Sequence, residues 1–186
     1  MGDSMVADTR RFRGAAERLR APERIALLEP ERVVSLSIDA VRGSTVLDVG
    51  TGTGLFAEAF VRWGWQATGV DVNREYLSMA RELVPHVRFE EGAAERLPFE
   101  NRSFDLTFLG HLLHEAEDPR AALAEALRVT RLRVAVLEWP YREDAAGPPL
   151  DHRLRPETIN AIAEQAGFCA IERVTLTHTE LYRLTC

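Results

Sequence analysis

The sequence Val46-Leu47-Asp48-Val49-Gly50-Thr51-Gly52-Thr53-Gly54 is the most informative stretch of the chain. An apolar strand ends near a carboxylate, the chain turns through three glycines spaced two apart, and a helical stretch follows from Leu55 to Trp63. Glycines let the backbone turn tightly and approach a ligand without a Cβ in the way. The helix start behind them offers unpaired N–H groups. The stretch therefore predicts a loop that holds a nucleotide-like cofactor at the end of a strand.

The composition is typical of one soluble globular domain, with 186 residues, 46% of them hydrophobic and 28% charged. A net charge of −6 argues against broad binding to nucleic acid or to an anionic membrane. The sequence has neither a membrane-length apolar run nor an apolar signal core, so we expect a cytoplasmic protein. The expected partner is a small molecule, and the oligomeric state is left open.

The chain contains no lysine, and all 23 of its basic residues are arginine. P-loop NTPases, protein kinases and pyridoxal enzymes each need a lysine in their active site, so these three classes are excluded. Cys169 and Cys186 are too few and too isolated in the sequence to predict a disulfide framework or a zinc site. We expect no bound metal ion.

Apolar runs that fit strands alternate with amphipathic stretches that fit helices from residue 44 onward. Strands are predicted at 45–49, 66–71, 87–90, 104–110, 132–138, 170–176 and 180–185. Helices are predicted at 54–63, 74–83, 119–129 and 156–166, preceded by one from Pro30 to about Val41. This order predicts an α/β fold with a doubly wound, seven-stranded and mostly parallel sheet that ends in an antiparallel hairpin. We expect a single domain over 1–186, with an arm or lid at 1–28 and the core at 30–185.

Two cofactors compete for the glycine loop. Gly52-x-Gly54-x-x-Ala57 satisfies a variant of the dinucleotide motif. Asp48, however, would repel a pyrophosphate and suits a cofactor that carries an ammonium and a sulfonium, as S-adenosylmethionine does. Asp71 ends the next strand, where an acid binds ribose hydroxyls, but both cofactors have these hydroxyls. The glycine spacing alone therefore does not choose between them.

A third block favours S-adenosylmethionine. Glu91-Gly92-Ala93-Ala94-Glu95-Arg96-Leu97-Pro98-Phe99, followed by Ser103-Phe104-Asp105-Leu106, is close to the G-D-A-x-x-L-P-F … S-F-D pattern. Over roughly residues 30–185 the chain resembles the class I S-adenosylmethionine-dependent methyltransferases, specifically the small ubiquinone/menaquinone-biosynthesis type. The resemblance implies a Rossmann-like fold, S-adenosylmethionine as the cofactor and methyl transfer as the activity.

The resemblance also implies roles for individual residues. It assigns Gly50, Gly52 and Gly54 to the methionine and ribose, Asp48 to the methionine amino group, Asp71 to the ribose hydroxyls, Val72 and the Ala94 N–H to adenine, and the Gly110 carbonyl to the amino group. Ala93 belongs to the same cofactor-binding set but departs from the family, which has Asp there to hold the adenine amino group. We expect weaker adenine binding unless Glu95 or another group replaces that contact.

His111 directly follows the fourth predicted strand and is the predicted catalytic residue, since a general base helps when the acceptor must lose a proton. Other candidates near strand ends are His114, Glu138, Trp139, Tyr141, His152 and Arg153. For His114 we expect packing or helix capping. The arginines at 10, 11, 13, 18, 20 and 24 are expected to form a solvated face, with a lid that meets the methionine carboxylate as the alternative.

The sequence thus predicts a methyltransferase that uses S-adenosylmethionine on a small-molecule acceptor, at O, N or C. Two alternatives stay open. One is a nonenzymatic protein that binds S-adenosylmethionine or S-adenosylhomocysteine, which the Ala93 departure makes worth keeping. The other is an NAD(P)-dependent oxidoreductase, which rests only on the spacing of Gly52, Gly54 and Ala57.

Overall fold

The computed structural model describes residues 16–186, which contain a single seven-stranded sheet. Its strands are β1 (Thr45–Val49), β2 (Gln66–Asp71), β3 (Arg88–Glu91), β4 (Phe104–Gly110), β5 (Thr130–Glu138), β6 (Ala170–Thr175) and β7 (Glu180–Thr185). They lie in the order β3-β2-β1-β4-β5-β7-β6. The first five are parallel, whereas β7 pairs antiparallel with both β5 and β6. The predicted fold class is confirmed.

The helices of the described chain follow the predicted alternation. They are α1 (Pro22–Leu28), α2 (Pro30–Ile38), α3 (Leu55–Arg62), α4 (Arg74–Leu83), α5 (Pro119–Val129) and α6 (Pro156–Ala166), with short 3₁₀ turns at Ala16–Arg20 and Leu150–His152. The helix predicted to reach Val41 ends at Ile38 instead. Ala40 adopts a φ of 60°, in the left-handed region, and a right-handed helix cannot continue through it.

Both faces of the sheet are covered, as expected of buried parallel strands. Neighbouring residues of β1 point to opposite sides. Leu47 packs in the core formed with α5 and α6, whereas Val46 packs in the core formed with α2 and α3. Both side chains are fully buried.

The strand order reverses between β1 and β4. From β1 the chain proceeds outward through β2 and β3, and then returns to the other side of β1 to add β4 and β5. The loops that follow these strands meet beyond their carboxyl ends. In open α/β sheets this is where ligands bind.

Within residues 16–186, the longest helices are α5 and α6, each of 11 residues. A helix needs roughly 20 apolar residues to cross a bilayer, so none of the described helices could do so.

Candidate functional site

A cavity of about 1000 Å³ opens at the carboxyl ends of the parallel strands. The loops after five strands, β1 to β5, contribute to its wall, together with the segment before α2. From the strand loops come Gly50, Gly52, Asp71, Val72, Ala94, Glu95, Gly110, His111, His114 and Trp139, and from the preceding segment come Leu19, Arg24 and Leu28. Seven of the predicted site positions therefore face one space: Gly50, Gly52, Asp71, Val72, Ala94, Gly110 and His111.

The glycine loop is tied to the end of the neighbouring strand β2. The N–H of Gly50 donates to the carbonyl of Val70 at 2.8 Å, and the N–H of Gly52 donates to Oδ2 of Asp71 at 2.8 Å. Gly50 has a φ of 69°, and a Cβ added there would come within 2.9 Å of Cδ1 of Leu112. A side chain at this position would therefore be disfavoured by the positive φ and would also clash with Leu112.

Asp48 lies behind this loop and is not among the residues that line the cavity. Its Oδ2 accepts hydrogen bonds from Oγ1 of Thr51 at 2.7 Å and from the N–H of Ala57 at 3.1 Å. Burial raises the pKa of its carboxyl to about 7, although these two donors oppose the shift. Asp48 thus fixes the loop to the start of α3. Its predicted contact with the methionine amino group stays a prediction.

Gly54 and Ala93 also lie outside the cavity wall. Gly54 caps α3 with a φ of 78°, and a Cβ there would meet Cζ of Phe89 at 3.0 Å. Ala93 forms an isolated bridge with Arg96. Glu95 does line the cavity, and its Oε1 accepts a hydrogen bond from the N–H of Glu117 at 3.0 Å. A carboxylate therefore stands near the position where the family has its Asp.

His111 lines the cavity with a buried imidazole that is stacked on an aromatic ring. Its backbone has a φ of 55°, and its ring stacks on Trp139 with centroids 4.4 Å apart and planes inclined by 33°. Only 8% of the residue is exposed, and neither ring nitrogen has a hydrogen-bond partner within residues 16–186. Burial, aided by the positive charge of Arg24, holds the pKa of His111 well below its ordinary value. The imidazole is therefore neutral at pH 7.

His114 and Glu138 form a buried pair beside it. Nδ1 of His114 lies 2.7 Å from Oε2 of Glu138, and the side chains are 4% and 2% exposed. Glu138 also accepts from the N–H of His114 at 3.2 Å and from its own neighbour, the N–H of Trp139, at 3.3 Å. Burial lowers the pKa of His114, but the Glu138 carboxylate outweighs it, so the pKa is raised. Glu138 therefore joins the end of β5 to the loop after β4.

The segment before α2 covers the glycine loop. A Cβ on Gly52 would meet Cδ1 of Leu19 at 3.2 Å. Nη2 of Arg20 donates to the carbonyl of Thr53 at 2.8 Å, and Nη1 of Arg20 forms an ion pair with Glu58. Arg24 lies in the cavity wall, where burial lowers its pKa against the opposing charge of Glu115.

The expectation of a solvated arginine face is therefore wrong for Arg20 and Arg24. Arg18 is exposed as expected, and Arg10, Arg11 and Arg13 lie outside the described residues. A periodic pattern could not reveal this contact, since among residues 16–21 a single apolar side chain, that of Leu19, lies beside Gly52.

Arg153 holds the long loop after β5 in place. Its guanidinium donates to the carbonyls of Pro140, Arg142, Ala146 and Pro148 at 2.6–3.1 Å, and it is only 5% exposed. Arg153 is thus structural, and the loop it fixes brings Gly147, Pro148, Pro149 and His152 to the cavity. Tyr141 lies outside the cavity wall and carries the Arg155 guanidinium 4.1 Å above its ring.

Comparison with known proteins supports the family. A family model described as "Methyltransferase domain" matches residues 47–135. Over 117 residues the chain is 36% identical to a demethylmenaquinone methyltransferase of Renibacterium salmoninarum. The aligned region covers 63% of this chain and 49% of that protein. The chain therefore spans about half the length of this relative.

Solved structures share the fold. A SAM-dependent methyltransferase from Aquifex aeolicus superposes with a TM-score of 0.82, at 24% identity, over 91% of this chain and 95% of that one. The cyclase SpnF superposes with a TM-score of 0.65, at 28% identity, over 78% of this chain and 59% of that one. Residues 47–135 thus match the methyltransferase domain family, and the chain shares the fold of S-adenosylmethionine-dependent methyltransferases.

Proposed function

We propose that this domain transfers a methyl group from S-adenosylmethionine to a small, flat acceptor held in the same cavity. The observation that carries the proposal is the continuity of the cavity, which runs from the glycine loop and Asp71 to the stacked rings of His111 and Trp139. Its volume of about 1000 Å³ is at the upper end of ligand sites, which leaves room for an acceptor beside the cofactor.

The residues at one end of the cavity fit the proposed cofactor. A ribose diol can donate hydrogen bonds to the carboxylate oxygens of Asp71, each of which can accept more than one. Val72 is 46% exposed, and its apolar surface would be covered by an adenine ring. The carboxylate of Glu95 is the proposed replacement for the missing side chain at Ala93. Bound here, S-adenosylmethionine supplies a methyl group on a sulfonium that is already activated for transfer.

The protein's own part in such a reaction is to align the acceptor and to exclude water. Trp139, Pro148, Pro149 and Leu28 give the other end of the cavity an apolar and partly aromatic wall. We propose that residues 16–28 act as the lid, since Arg20 and Leu19 already contact the glycine loop. Under this proposal, residues 16–28 belong to the same domain as the cavity that they cover.

We propose His111 as the catalytic residue that contacts the acceptor. A neutral imidazole whose ring nitrogens have no hydrogen-bond partner among residues 16–186 can accept a hydrogen bond from an acceptor O–H or N–H. Its low pKa makes it a weak base, so its main contribution is orientation. His114 lines the same cavity with its Nδ1 fixed by Glu138, and its raised pKa suits it better to take up a proton.

A quinol or related hydroxyaromatic is the proposed acceptor class. The Renibacterium relative is named for demethylmenaquinone, and a flat ring would pack against the Trp139–His111 wall. The acceptor would then lose a hydroxyl or ring proton as it receives the methyl group.

The test uses S-adenosylmethionine labelled with ¹³C in its methyl group. The purified protein would be incubated with reduced naphthoquinols, catechols and simple phenols, and products would be analysed by mass spectrometry. We expect a labelled product that disappears with Asp71→Ala and persists with the exposed control Arg18→Gln. The fold also occurs in a cyclase, so cofactor binding with no labelled product from any member of the panel would favour a non-methylating role instead.

A further inference from the structure

The two cysteines of the chain are distant in sequence but adjacent in the fold. Cys169 precedes β6, Cys186 follows β7, and both side chains are exposed. Their sulfur atoms lie against the same backbone oxygen, that of Gly167, at 4.0 Å for Cys169 and 3.4 Å for Cys186. The two residues are isolated in the sequence and both are free thiols, but the β6–β7 hairpin folds them together.

The end of the β6–β7 ladder explains this proximity. Ala170 lies opposite Thr185 in its last pair, so Cys169 and Cys186 are the next residues on the two strands. The N–H of Cys169 donates to the carbonyl of Thr185 at 3.0 Å, which keeps Cys169 against the end of β7 where the regular pairing stops. Both sulfur atoms are therefore held beside the same carbonyl, that of Gly167.

The two thiols lie close together at the Gly167 carbonyl. Burial raises the pKa of the Cys186 thiol, and the neighbouring Cys169 side chain raises it further. Less thiolate is then present at neutral pH, so oxidation should be faster at alkaline pH. The pair lies at the amino ends of the parallel strands, since Glu180, at the other end of β7, faces Glu138 near the cavity.

We propose that Cys169 and Cys186 form a reversible disulfide that joins the end of β7 to the turn between α6 and β6. With oxidised glutathione as the oxidant, one protein thiolate attacks a glutathione sulfur and releases one reduced glutathione. The second protein thiolate attacks the protein sulfur of this mixed disulfide and releases another. Two protein thiols are oxidised and one glutathione disulfide is reduced to two thiols. The site does not depend on the proposed methyl transfer.

The test is intact-mass analysis after the protein is incubated with oxidised glutathione at pH 8. We expect a loss of about 2 Da, the two thiol hydrogens, and recovery of the original mass with dithiothreitol. Tryptic digestion should then yield one linked species that contains both cysteines. The matched controls are Cys169→Ser and Cys186→Ser, each of which should stop at the mixed disulfide and gain one glutathione.

Three outcomes would overturn the proposal. In the first, the wild-type protein gains one glutathione on each cysteine and never closes the internal bond. In the second, both thiols stay reduced under conditions in which the single variants take up glutathione. A disulfide between two molecules, detected as a doubled mass, would equally contradict it.

Discussion

Glu138 accepts a hydrogen bond from Nδ1 of His114 at 2.7 Å, and both side chains are almost wholly buried. The carboxylate belongs to the end of β5 and the imidazole to the loop after β4, so the pair connects two walls of one cavity. Glu138 occupies the Nδ1 side of the ring, and Oε1 of Glu115 lies 3.7 Å from Nε2, the side that lines the cavity. In this arrangement a carboxylate sets both the tautomer and the proton affinity of a histidine.

Glu138→Gln tests this relationship. The amide keeps one oxygen, which can serve one of the two backbone donors, and loses the charge. The pKa of His114 should therefore fall, as read from its ring proton by NMR. The raised pKa contributes stability that is complete below the unfolded value, about 6.5, and is lost as the pH rises through the folded value. The variant should therefore be less stable by about 1–3 kcal/mol at pH 6, and this difference should shrink at pH 8. Glu143→Gln, at an exposed site, is the control; an unchanged His114 titration in Glu138→Gln would contradict the pairing.

Asp48→Asn should remove a pH-dependent cost in stability. The folded pKa of Asp48 is about 7, against about 3.9 when unfolded, so the native protein binds this proton more tightly. Wild-type stability should therefore fall as the pH rises from about 4 to about 7. Asn can still accept from Thr51 and Ala57, so the variant should gain more than about 1 kcal/mol relative to wild type between pH 5 and pH 8. Urea unfolding at both pH values measures this, with the exposed Asp151→Asn as control. Parallel pH profiles for wild type and Asp48→Asn would show that Asp48 is already ionised at low pH.

Arg153→Gln should loosen the loop over the cavity. Four carbonyls lose a charged donor, so local opening should become easier and trypsin should cut after the exposed Arg142 about tenfold faster. Arg155→Gln is a close control, because Arg155 is exposed and rests on Tyr141 outside the cavity. Equal cleavage rates in the two variants would mean that other contacts hold the loop.

Arg20→Gln should weaken cofactor binding about five- to tenfold, since the side chain ties the 16–20 turn to Thr53 and Glu58 beside the glycine loop. Calorimetry with S-adenosylhomocysteine measures the change. Arg18→Gln, in the same turn but exposed, should bind as the wild type does. If both variants bind equally well, residues 16–20 are not part of the cofactor site.

The sheet could be predicted closely because its central strands, β1, β4 and the second half of β5, are apolar runs bounded by glycine and polar turns. The largest error was at the start of β5, which begins at Thr130 instead of residue 132. Thr130 is polar, but it is buried because its hydroxyl pairs with that of Thr107 at 2.6 Å, next to an irregularity in the β4–β5 register. A hydrophobicity pattern cannot show a buried hydroxyl that has found its partner.

The site residues that could be predicted are those that lie in sequence motifs at the ends of strands. The positions after β1, β2 and β4 sit at strand ends, so their meeting follows from the fold class. The Glu138–His114 pair, the Arg20–Thr53 contact and the cysteine pair instead join segments far apart in sequence. Such pairings depend on the packing of particular side chains, and a single sequence carries no periodic signal for them.

The most direct test of the central claim is a calorimetric titration of the purified protein with S-adenosylhomocysteine, with NADH as the control ligand. We predict one site of micromolar affinity for S-adenosylhomocysteine, no heat from NADH, and loss of the site in Asp71→Ala. Binding of NADH, or S-adenosylhomocysteine binding that Asp71→Ala leaves unchanged, would contradict the assignment of this cavity to S-adenosylmethionine.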